Sequence, residues 1–232
     1  MRKVFYILSM LLVVACSSTQ NIKNVPEIKN VNATFDDYLS LFNAIGYNVF
    51  TYDISSLKDS VSSVIFSVRE FIDSAEVEND NNAEFLTIYK ISDFDEKDRE
   101  EIIKMGNADD EANGIYRLAT KMKIGLAPAA DDCEQKLYFE ISGSEIMGAT
   151  NQQLIKRAFD KKRSPLKYSL RPFKIGTFEK DKFIPLLMYG SAWWDKDANI
   201  YRFCGEKELS SDMKSEIFSH SPHYFIIGVE FK

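Results

Sequence analysis

Behind residue 33 the apolar positions fall into two rhythms. Phe35, Tyr38, Leu39, Phe42 and Ile45 recur at spacings of three and four, which is one face of a helix. Thr34 stands where an N-cap is wanted and Gly46 where a left-handed C-terminal residue is wanted. Residues 47–52 alternate as a strand. Leu57, Val61, Val64, Val68 and Ile72 then form a second stripe behind Ser55 and Ser56, predicting another helix, although its β-branched content disfavours one. A polar turn at 78–82 leads to a strand at 85–91, and Ser92-Asp93 opens a charged helix ending at Met105. Ile115, Leu118, Ala119 and Met122 predict a helix stopped near Gly125, and a loop at 127–132 delivers Cys133 to a strand over 137–141. Leu154, Ile155, Ala158 and Phe159 predict a helix over 151–162. From residue 167 the rhythm changes. Pro165, Pro172 and Pro185 exclude long helices, and strands are predicted at 183–194, 200–204 and 224–231. The expected fold is α+β: one domain over 34–232, with a helix-rich N-terminal half and an antiparallel strand-rich C-terminal half.

The first sixteen residues follow a different pattern. Arg2 and Lys3 precede an apolar run from residue 4 to 14, broken only by Ser9, and Val13-Val14-Ala15-Cys16 closes it. These are the parts of a secretory signal, and the run is shorter than the about 20 residues a membrane-spanning helix needs. Val-Val-Ala-Cys resembles the lipobox of bacterial lipoproteins. That resemblance implies cleavage between Ala15 and Cys16 and lipidation of Cys16, so that 1–15 is a signal peptide and 16–33, polar and containing Pro26, is a tether. The absence of aspartate or an acidic run after the cysteine implies an outer-membrane address facing the periplasm. The body, rich in Asn and aromatic residues, also resembles lipoproteins of unknown function from gut Bacteroidetes.

Composition narrows the partners. With 29 Lys and Arg against 35 Asp and Glu the formal net charge is −6, and loss of 1–15, which takes Arg2 and Lys3 and no acid, makes it −8. An acidic body excludes a nucleic-acid partner and a polybasic grip on anionic lipid. The expected partners are the membrane, through the anchor, and an envelope protein or a glycan. With Cys16 lipidated, Cys133 and Cys204 remain, and an oxidising compartment allows them to pair; two free thiols are equally ordinary.

Candidate chemistry clusters late in the chain. Tyr189, Trp193 and Trp194 offer rings for stacking on sugars, although adjacent Trp residues of a strand point to opposite faces. Asp195, Asp197, Asn199 and Glu206 match the oxygen positions of a calcium loop, but Ile200 stands where the loop needs glycine, and a polar hairpin turn explains the same residues. His220 and His223 are the only histidines, and Pro222 between them breaks the helix that would aim both at one metal. Ser-x-x-Lys occurs three times without its companion motifs, so it carries no acylation reading. No cofactor, resident metal or catalytic residue is assigned. The function expected is a membrane-anchored envelope lipoprotein acting as a binding or assembly module, with a glycan-binding or glycan-hydrolysing protein as the alternative.

Overall fold

A computed structural model describes residues 32–57, 61–157, 167–176, 179–202 and 206–232. The chain begins with helix α1 (Phe35–Ala44), followed by strands β1 (Asn48–Asp53), β2 (Ser63–Ile72), β3 (Ala75–Val77), β4 (Asn82–Leu86) and β5 (Ile88–Lys90). Helix α2 (Glu96–Met105) precedes β6 (Asn107–Asp110), β7 (Ile115–Arg117), β8 (Lys121–Pro128), β9 (Glu134–Ser142) and β10 (Ile146–Ile155). The last part holds β11 (Tyr168–Pro172), β12 (Phe183–Ser191), β13 (Trp193–Asp195), β14 (Ile200–Arg202), helix α3 (Ile217–His220) and β15 (His223–Phe231).

Two antiparallel sheets pack face to face. The first has the order β1-β8-β9-β10; the second runs β11-β12-β15-β2, and β2 pairs onward with both β3 and β4. Alternation explains the core between them. Met122, Ile124 and Leu126 of β8 and Leu137, Phe139 and Ile141 of β9 point inward from the first sheet. Val64, Phe66 and Val68 of β2, with Phe225, Ile227 and Val229 of β15, meet them from the second. Phe66 stacks on Phe139 across the gap, ring centres 4.3 Å apart. The second sheet is covered on its far side as well. Met188, Tyr224 and Ile226, alternating with the inward residues, pack on Phe173, Leu209, Ile217 and Phe218. That two-sided burial is why β12 and β15 read as continuous apolar runs.

The expected α+β fold with a helix-rich first half is corrected by this architecture: strands dominate both halves, and the described residues hold three short α-helices. Three predicted helices are sheet. The stripe from Leu57 to Ile72 is largely β2, the segment around 115–122 is β7 and the start of β8, and 151–155 belongs to β10. In β2 the error has a clear cause. Val64 and Val68 are four apart, which is one helical turn but also two strand periods, and Phe66 between them, fully buried, fits only the strand period. The helix residues Ala158 and Phe159 lie outside the described residues. Two helices stand as expected. Thr34 caps α1 in a reciprocal capping box with Asp37, and Gly46 takes φ 90° just past its end. Helix α2 covers the charged segment to Met105.

Candidate functional site

The groove that collects most of the candidate residues is built by a short hairpin. Strands β13 and β14 pair with Trp193 opposite Arg202, Trp194 opposite Tyr201 and Asp195 opposite Ile200. Asp195 organises the turn: its Oδ1 accepts from the amides of Asp197 at 2.9 Å and Ala198 at 3.0 Å, while Oδ2 is ion-paired with Arg202. The Ala198 amide, outweighing desolvation and helped by Arg202, holds the Asp195 carboxyl below its ordinary range. Asn199 closes the turn with φ 52°, a conformation Asn tolerates.

The two indoles diverge, as neighbours on a strand must. Trp193 packs against the outer core cluster and lies flat on His220 of α3, ring centres 5.8 Å apart and planes 14° from parallel. Trp194 meets Tyr201 edge to face at 4.8 Å. Both remain half-buried. Between this hairpin and residues 214–220 lies an open groove of about 860 Å³, lined by Trp193, Trp194, Asp197, Glu206, Lys214 and Glu216 among others. Three of the four calcium-type residues, Asp195, Asp197 and Glu206, therefore line one groove, with Asp195 engaged in the turn and the Arg202 pair and Asn199 closing the turn. Among the described residues no group of three or more His, Cys, Asp or Glu side chains is placed to hold a metal ion.

Tyr189 is not part of this groove. It points into the core between the sheets, donates its hydroxyl hydrogen to Oε1 of Gln135 at 3.0 Å, and has its pKa pushed up to about 12 by burial. Cys133 is a free, half-buried thiol whose pKa is raised by burial and then by the charge of Asp131. Cys204, Ala15 and Cys16 lie outside the described residues.

One polar cluster carried no local signal in the sequence. His223, fully buried, stands between the Tyr168 hydroxyl at Nδ1 and Glu70 Oε1, 3.0 Å from Nε2. Arg157 donates its Nε hydrogen to the same Glu70 oxygen at 2.8 Å and its backbone N–H to the Tyr168 hydroxyl at 3.0 Å. Because the Glu70 carboxylate only accepts, the network assigns the ring's one hydrogen to Nε2, donating to Glu70, and leaves Nδ1 to accept from the Tyr168 hydroxyl, which itself accepts from the Arg157 amide. Burial keeps the His223 pKa below its ordinary value despite the Glu70 hydrogen bond, so the ring is neutral at pH 7. The partners lie 153 and 55 positions from His223 in the chain, and the cluster ties the end of β10 to β2, β11 and β15. With its donor and acceptor both engaged, the Tyr168 hydroxyl acts as a brace rather than a nucleophile.

Comparison with known proteins bears on the family alone. The profile of a family described as a domain of unknown function (DUF5041) matches residues 17–232. The chain belongs to that family. The match spans the whole described body, from α1 through β15. No curated protein and no solved structure matches the chain. Among the described residues no helix is long and apolar enough to cross a membrane.

Proposed function

We propose that the chain is a cell-envelope lipoprotein, anchored through lipid on Cys16 in the outer membrane and facing the periplasm, whose body is a glycan-binding module. The lipobox residues Val13-Val14-Ala15-Cys16 support the anchor. A single observation supports the ligand: the groove beside the β13–β14 hairpin combines indole surface with a mixed-charge rim of Asp197, Arg202, Glu206 and Lys214. Sugars present just these needs, an apolar ring face to stack and a ring of hydroxyls that both donate and accept. Binding is favoured over hydrolysis by the state of Asp195. Its carboxyl is spent on holding the hairpin, accepting from the amides of Asp197 and Ala198 and ion-paired with Arg202, rather than offered to a glycosidic oxygen.

The test is a thermal melt of the mature chain, from residue 16 onward, against a panel of envelope and dietary glycans. A ligand at about 100 times its dissociation constant adds about 2.7 kcal/mol of stability, which a melt resolves. One sugar class should raise the melting temperature, and Trp194→Ala should remove that shift while leaving the unliganded melt close to the parent's. A panel without any shift, or a shift unchanged in Trp194→Ala, refutes the groove as a glycan site.

A further inference from the structure

Helix α1 is at odds with the rest of the molecule. Its wheel is cleanly divided: Phe35, Tyr38, Leu39, Leu41, Phe42 and Ile45 occupy one side, while Asp36, Asp37, Ser40 and Asn43 occupy the other. Yet none of its residues is buried. Phe35 is 76% exposed, Leu41 58%, Ile45 53% and Phe42 49%. Tyr47 and Val49, just beyond the helix and on the outward side of edge strand β1, continue the patch. A helix of ten residues, none of them buried, is marginal in water, because nucleation costs more than so few turns return. The Thr34–Asp37 capping box stabilises only its start. An apolar patch of this kind on a folded protein marks a surface to be covered.

We propose that α1 is an interfacial membrane helix, lying with its apolar face in the bilayer leaflet that holds Cys16. This rests on the lipid-anchored reading for its source of surface, and three observations select lipid as the occupant. Eighteen residues separate Cys16 from Phe35, a stretch that reaches about 60 Å at most, so α1 is the first described element beyond the anchor and stays within that reach of the bilayer. The apolar side mixes Phe and Tyr with Leu and Ile, the side chains suited to the boundary between headgroups and acyl chains. The helix itself carries Asp36 and Asp37 and no Lys or Arg, which suits zwitterionic rather than anionic lipid. The body supplies the nearby cations instead: Lys156 and Lys167 line the cleft shared with Asn43 and Gly46 at the helix's C-terminal end. Docked in this way, the helix gains the partner surface it lacks in water and fixes the orientation of the body on the membrane.

The experiment is amide hydrogen exchange on the mature chain with Cys16 replaced by an N-terminal hexahistidine, captured on phosphatidylcholine vesicles doped with a nickel-chelating lipid. This tether imitates the anchor without depending on lipidation. Exchange across residues 35–45 should slow at least tenfold on vesicles relative to buffer, with β15 unchanged. The double substitution Leu39→Asp and Phe42→Asp, at exposed positions the fold does not need, should abolish that slowing. Equal exchange on vesicles and in buffer overturns the proposal. So does protection that appears without vesicles and grows with protein concentration, which would assign the face to a second copy of the chain. The lipoprotein reading fails separately, if the N-terminal peptide of the cell-derived protein carries no acyl mass.

Discussion

Truncating Phe139 to alanine tests whether the two sheets are held together as the structure places them. Phe139 of β9 and Phe66 of β2 are both fully buried, and their rings stack 19° from parallel, with Phe85 of β4 tilted against Phe139 at 5.3 Å. Removing a buried Phe side chain costs about 3–5 kcal/mol, the lost transfer free energy plus the cavity that the sheets cannot close. For a chain of this size about 2–4 °C of melting temperature accompanies each kcal/mol, so the melt should fall by roughly 6–20 °C. Phe66→Ala should cost a similar amount. The double variant should lose less than the two combined, by about 0.5–1.5 kcal/mol, because the ring–ring contribution can be lost only once. Urea denaturation of the four proteins, with the slope checked for constancy, measures all of these quantities. A Phe139→Ala cost below about 1 kcal/mol would mean that the site is not a closed interior. Strict additivity of the two substitutions would mean that these rings do not touch, and the face-to-face packing of the sheets would be refuted.

Two further predictions follow from backbone crowding and from the buried histidine. A Cβ built on Gly143 would lie 1.8 Å from the carbonyl oxygen of Leu118, a backbone atom that cannot turn aside, so Gly143→Ala should destabilise the protein by several kcal/mol, whereas at Gly176, where a Cβ meets nothing closer than 3.9 Å among the described residues, the same change should be nearly silent in the same melt. Because the folded-state pKa of His223 lies below its unfolded value, the native protein holds the ring neutral while the unfolded chain takes up a proton; its contribution is intact above about pH 6.5 and is lost as pH falls from there through the folded pKa. Urea midpoints should therefore drop between about pH 7 and pH 5, and His223→Gln should flatten that drop; a wild-type midpoint constant over this window would contradict the neutral, braced ring.

What the sequence disclosed depended on how local the cause was. The α1 helix was legible because its stripe, its Thr34 cap and Gly46 all sit within thirteen residues and agree with one another. The terminal strands were legible because β12 and β15, covered on both faces, leave almost no polar positions to confuse with a helix. Strand β2 was misread because Val64 and Val68 satisfy both periods at once, and tertiary pairing with β15 decided between them. Strand β10 was misread for a different reason. It is an edge strand in which Leu154 alone is buried, and its polar run Thr150 to Gln153 hides the strand alternation, so Leu154-Ile155 suggested a helix face that the strand does not have. The groove was visible only in pieces. Trp193, Trp194, Asp195, Asp197 and Glu206 each drew notice from local chemistry, but His220, which lies flat on Trp193, comes from a helix that no motif ties to the hairpin. The Glu70–His223–Tyr168–Arg157 cluster left no spacing at all, since its members meet only after β2, β11 and β15 pair into one sheet.

The anchor underlies both the address proposed for the protein and the surface proposed for α1, and it is tested by fractionating cells that express the native chain or Cys16→Ala and weighing the N-terminal peptide of each. The native chain should sediment with outer membrane, lack residues 1–15, and carry acyl mass on Cys16, while Cys16→Ala should remain unacylated and lose its firm membrane retention. An unacylated Cys16 in the native chain, or Cys16→Ala processed and retained like the parent, would contradict the account.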